Sequence, residues 1–170
     1  TGFMTPSVRF REPVRNGITV SIELNEDSLD PQHPARVVWD LLGHLDLTAF
    51  HAPYKAVRGR QGRRPNSPRL MVSLWLYALI SGVVHAREIS RRIQYDLAFR
   101  WLAGDIPNVE HGILSEYLTL HASAFESLLS QWVRLAEQKG LLDRFGGLAA
   151  QDGVRLQANA SKDSFATQAK

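Results

Sequence analysis

Between Ser67 and Gly82 the chain reads SPRLMVSLWLYALISG, and its apolar residues fall on every side of a helix instead of on one stripe. A helix that is apolar all round has no face to give to water, so it belongs at the centre of a core with other elements packed around it. The same stretch marks its limits. Ser67 is a good N-cap, Pro68 suits the first helical position because its missing N–H would be unpaired there anyway, and Gly82 supplies a stop. The spacing predicts a helix from about 68 to 81. The apolar run from Leu70 to Val84 is broken by Ser73, Ser81 and Gly82 and falls short of the ~20 residues that cross a bilayer.

The rest of the chain offers helices to cover this one. Pro34 opens a segment in which Val37, Val38, Leu41, Leu42 and Leu45 recur at helical spacing, and a short helical turn is expected around Leu47–Phe50. After a tight turn at Val83–His85 a further helix places Ile89, Ile93 and Leu97 on one stripe and Arg87, Arg91 and Arg92 largely off it. Asp96 is placed to recap that helix before Leu97–Leu102. The longest predicted helix runs from about His111 to Lys139, with Leu114, Tyr117, His121, Phe125, Leu128, Trp132 and Leu135 at steps of three and four. That stripe is either a core face or a short coiled-coil seam. Residues 5–24 alternate weakly around Asn16-Gly17, which suggests an N-terminal extended arm or hairpin. Gly146-Gly147 followed by short apolar runs on either side of Asp152-Gly153 read as two short strands opening a β-containing domain.

The charge is unevenly distributed. Ten Lys and Arg and only two acids, Glu88 and Asp96, lie between Lys55 and Arg100, a local balance of +8 within a chain whose net charge is +3. An excess of this size points first to a nucleic-acid partner, and an anionic membrane surface comes second. A solvated basic face is the plainer explanation. A glycine-containing loop carries Arg58, Arg60, Arg63 and Arg64, which suits it to tracking phosphates or entering a minor groove. Helix, tight turn and helix with arginines on the second member is the pattern of a helix-turn-helix reader of duplex DNA, although many helical hairpins share it. The chain has no cysteine, which excludes disulfides and thiolate metal sites. With no secretory signal pattern, this fits a cytoplasmic protein without a membrane role. The histidines lack metal-site spacing, so His111 and His121 are read as helix-capping and packing residues.

Five pieces, in order, carry a resemblance to a known family: HPARVVWDLLGHLDL (33–47), SPRLMVSLWLYALISGV (67–83), AREISRRIQYDLAFRWLAG (86–104), EHGILSEYLTLH (110–121) and QDGVRLQANASKDS (151–164). The chain resembles the N-terminal domain of bacterial insertion-sequence transposases of the InsH-type group, which have a ribonuclease-H-like catalytic core with a DDE carboxylate set. The resemblance spans about Phe10 to Ser161. It implies a mainly α-helical fold of four or five helices with a helix-turn-helix-like pair, followed by the first strands of a ribonuclease-H-like domain. The corresponding division is an arm over 1–30, a helical DNA-binding domain over 31–142 and the start of a catalytic domain over 143–170. In the helix beginning near 110 the chain departs from the family pattern. Glu110, Ile113, Glu116 and Tyr117-Leu118 stand where relatives carry Asp, Thr, Arg and Phe-Arg, which removes a hydroxyl and two positive charges.

An Asp-Gly pair is by itself a turn signal. The Ala-Asn-Ala-Ser continuation is what makes Asp152 the first catalytic and metal-binding aspartate under the resemblance. In that chemistry three carboxylates hold two divalent ions, Mg2+ being suited to all-oxygen sites, and these drive in-line displacement at a phosphate. The second aspartate and the glutamate are expected beyond residue 170, and one carboxylate cannot hold two ions about 4 Å apart. These residues alone are therefore expected to be inactive, with no metal bound. The expected partner is double-stranded DNA of transposon ends, contacted by Arg58, Arg60, Arg63, Arg64, Arg69, Arg87, Arg91 and Arg92. Two other functions stay open: a stand-alone DNA-binding regulator from a decayed element, and a helical oligomerisation module that pairs two chains through the 111–139 helix.

Overall fold

The computed structural model describes residues 25–51 and 65–145. They form six α-helices: α1 (Pro34–Leu42), α2 (Pro68–Ile80), α3 (Ala86–Tyr95), α4 (Leu97–Ala103), α5 (His111–Leu120) and α6 (Ala122–Gln138). Short 3-10 turns lie at Asn25–Ser28, Thr48–Phe50 and Leu142–Phe145. α2 is central, as its composition requires. Every residue from Leu70 to Leu76 is buried, and α1, α3 and α4 pack against the helix. The buried Ser73 hydroxyl donates to the Leu70 carbonyl at 2.8 Å, so the one polar side chain in that run has its partner. Trp75 Nε1 donates to the Leu114 carbonyl at 3.1 Å and ties α2 to α5.

Local chemistry sets the helix ends. Ser67 Oγ accepts from the Leu70 N–H at 3.2 Å, and His33 Nδ1 accepts from the Ala35 N–H at 3.1 Å ahead of Pro34. At the far end of α2, Gly82 sits at φ 73°. Its N–H donates to the Leu79 carbonyl, and the Val83 N–H reaches back to the Ala78 carbonyl at 2.7 Å. This Schellman pair turns the chain sharply toward α3, and the buried Val83 anchors it. Asp96 ends α3 in extended backbone and begins α4, its Oδ1 accepting from the Ala98 N–H at 2.9 Å.

Two expectations are corrected. The described residues are mainly helical and contain no strand, so the expected first strands of a ribonuclease-H-like domain are not part of the described fold. The segments on which strands and a hairpin were expected, 5–24 and 146–158, lie outside the described residues. The second correction concerns the long helix over 111–139, which is two helices meeting at His121 (φ −111°, ψ 24°). Tertiary packing accounts for the bend. Phe50, arriving from the Thr48–Phe50 turn, stacks on Tyr117 with centroids 6.1 Å apart, and meets Phe125 edge-on at 5.1 Å and His121 at 5.4 Å. The buried His121 sits within this aromatic cluster. The helical unit reaches past 142: Phe145 is buried edge-on against Trp132, with centroids 5.1 Å apart. At the other end Arg36 donates to the Leu29 carbonyl and to Glu26, docking residues 26–29 on α1.

Candidate nucleic-acid interface

α3 is strongly two-sided. Ile89 and Ile93 are buried, while Arg87, Arg91, Gln94 and Tyr95 are exposed. The buried pair fixes the helix against α4 and α5, so the arginine side faces outward by default. Arg87 has no ion pair among the described residues. Arg91, with 68% of its side chain exposed, donates through Nε and Nη2 to Glu88 Oε2 at 3.0 and 2.8 Å. Arg92 is more enclosed. Its Nε donates to Glu88 Oε1 at 3.0 Å, its Nη1 lies 3.6 Å from Asp96 Oδ2, and its guanidinium carbon is 5.9 Å from the Phe99 ring centroid. Tyr95 OH donates to the same Glu88 Oε1 at 2.9 Å. Hydrogen bonds from Arg92 and then Tyr95, aided by Arg91, hold the Glu88 carboxyl below its ordinary range, so it is ionised at neutral pH. The Arg92 guanidinium is correspondingly pushed up, chiefly by its bond to Glu88.

Arg69 does something different from the arginines of α3. Its guanidinium carbon lies 4.0 Å from the centroid of the Trp39 ring, and its Nη2 donates to the Trp39 carbonyl at 2.6 Å. A Cβ on Gly43 would approach that nitrogen to 3.1 Å, so the glycine makes room for the contact. Arg69 thus packs on α1. Arg58, Arg60, Arg63 and Arg64 lie outside the described residues, as does Asp152. Among the described residues no group of three or more His, Asp or Glu is placed to hold a metal ion.

The sequence reading missed the organising role of Glu88. The signal was there: a Glu with Arg three and four residues on is a favoured helical ion-pair arrangement. Beside it a shallow surface groove is lined by His85, Arg87, Glu88 and Arg91. No described helix is long and apolar enough to cross a membrane.

The described fold is thus a helical domain, built on a central helix buried from Leu70 to Leu76, with a cationic helix on its outside. Residues 24–119 match the family described as Transposase domain (DUF772), and the chain belongs to that family. The match spans α1 to α4 and nearly all of α5, so the buried helix, the turn and the cationic helix all lie within it. No curated protein and no solved structure matches the chain.

Proposed function

We propose that this chain is the DNA-binding part of a transposase and that α2, the Gly82 turn and α3 act as a helix-turn-helix reader of duplex DNA at transposon ends. One observation carries the reading. Within a transposase domain, α3 is held by Ile89 and Ile93 so that Arg87 and Arg91 project from its outer face. Two cations a helical turn apart suit a phosphate backbone or the guanine edges of a major groove. The local +8 of residues 55–100 supplies the long-range attraction.

The test is duplex binding measured against salt. Each lost phosphate contact lowers the slope of log K against log salt by about 0.9. Arg87→Ala and Arg91→Ala are each expected to reduce the slope by about that amount, and replacing Arg58, Arg60, Arg63 and Arg64 together by more. No duplex binding at low salt would remove the proposal.

The resemblance around Asp152 extends the proposal to a DDE transposase of the InsH-type group, with Asp152 as the first carboxylate of a Mg2+ site. The described residues supply no such site, so no chemical step is assigned to them. Leu128 and Trp132, two residues of the stripe on which the oligomerisation reading rests, are buried within the chain itself, which supports a core face there.

A further inference from the structure

Glu88, half-exposed in the first turn of α3, binds three of the helix's polar groups at once. Oε2 takes Nε and Nη2 of Arg91, and Oε1 takes Nε of Arg92 and the hydroxyl of Tyr95. The Arg91 guanidinium is also 5.6 Å from the Tyr95 ring centroid. The helix therefore presents an ionised carboxylate among its arginines, and Arg87 and Arg91 line the same groove that Glu88 helps to line.

We propose that Glu88 determines specificity on this surface: it penalises contacts made through phosphate alone and favours base edges that offer an amino donor in the major groove, cytosine N4 or adenine N6. The inference rests on the DNA-binding reading of α3. A phosphate approaching Arg91 has to compete with a carboxylate already bonded to it, and it meets that like charge at close range. A base edge carries no net charge, and an amino group can donate to Oε1 in place of the Tyr95 hydroxyl while Arg91 keeps Oε2; carboxylate to cytosine N4 is a known mode of readout. Discrimination of this kind works through a repulsive element directed against the wrong partner. Sequence-blind binding, which is nearly all electrostatic, loses most from such a charge.

The experiment compares wild type, Glu88→Gln, Glu88→Asp and Glu137→Gln, the last changing the same charge on the exposed side of α6. Each variant is checked by circular dichroism and thermal melting. Binding to a short duplex of mixed sequence is then followed by fluorescence anisotropy across a salt series, and base preference is read by selection from a random duplex pool. Glu88→Gln is expected to bind mixed sequence about five- to tenfold more tightly at 0.1 M salt, the gain from roughly one more neutralised phosphate, with a slope steeper by about 0.9. Its base preference should flatten at one or two positions. Glu88→Asp keeps the charge while shortening its reach, so its mixed-sequence affinity should stay near wild type. Glu137→Gln should gain less than Glu88→Gln, because charges farther than about 10 Å are screened at this salt.

The inference is overturned if Glu88→Gln binds mixed sequence no more tightly than Glu137→Gln, or if its selected base preference is as sharp as that of wild type. Those results leave DNA binding by wild type intact. Wild type that binds no duplex at low salt overturns the DNA-binding reading itself, and this inference with it.

Discussion

Arg69 lies over the indole of Trp39, 4.0 Å from the ring centroid, while bonding the carbonyl of the same residue at 2.6 Å. A cation near the C-terminal end of α1 meets both an aromatic face and a helix carbonyl there, each favourable to positive charge. Arg69→Ala should lower stability by about 2–3 kcal/mol through the lost stacking and charge-assisted bond. Arg69→Lys should recover little, because an ammonium has no planar face to lay on the ring. Thermal or denaturant unfolding checks this. The salt slope of DNA binding should stay at the wild-type value in both variants while they are folded, and a drop of about 0.9 would mean that Arg69 contacts phosphate after all.

Gly82 is a test of backbone alone. Its φ is 73°, and a Cβ placed there would meet nothing within 4 Å. Gly82→Ala should therefore cost about 1–2 kcal/mol from the left-handed conformation, and Gly82→Asn clearly less. A chemical denaturation series settles the order. Equal losses for Ala and Asn would point to a cause other than φ.

Burial holds the imidazole of His121 below its ordinary value of 6.5, and its described ring neighbours are Phe50 and Tyr117. Burial also lowers His33, against the pull of Asp96 and Asp30. A depressed folded pKa means that the unfolded chain takes up the proton first as pH falls. The stabilising contribution is complete above about 6.5 and is lost as the pH drops through the folded value. The melting temperature should thus decline from about pH 7.5 to about pH 5, and His121→Phe should flatten part of that decline. An unchanged pH profile in His121→Phe would clear His121 of the effect.

Leu128 is almost fully buried, whereas Ile113 and Leu120 on α5 are exposed. Leu128→Glu should cost on the order of 3–5 kcal/mol by placing a charge in the core, and the folded signal should be lost at every protein concentration. Ile113→Glu and Leu120→Glu should each stay within about 0.5 kcal/mol of wild type. Gel filtration of these two surface variants, not of Leu128→Glu, is the fair measure of any dimer formed through α5. A wild-type dimer that persists in both would place the contact elsewhere.

What the sequence made legible was decided by how local the causes were. α2 was readable because its apolar residues leave no alternative to the centre, and the restart at Asp96 because a side-chain cap needs only its own neighbours. The bend at His121 was not readable. The three- and four-residue spacing runs straight through it, and Phe50, which packs against the bend at His121, comes from a turn 71 residues earlier. Charge counting places Arg69 among the cations of the basic segment and carries no information about the face that it covers. Its partner, Trp39, is thirty residues away in sequence and adjacent only in the fold. On α3 the outward placement of Arg87 and Arg91 followed from the Ile89 and Ile93 stripe. The shared carboxylate went unnoticed because Glu88 was counted as a charge and not as a ligand for its neighbours.

The burial of α2 on all sides also bears on how a protein of this kind can change over time. A helix with no free side admits few substitutions, and each is felt by several neighbours together. The outer positions of α3, at 87, 91 and 94, touch little of the core and can vary almost independently of it. Under the DNA-binding proposal, a new preference for one DNA end over another can therefore arise by exchanging a few outer side chains while the interior stays as it is. In such a lineage the interior would record common descent, and the outer face of one helix would record what each member has come to recognise.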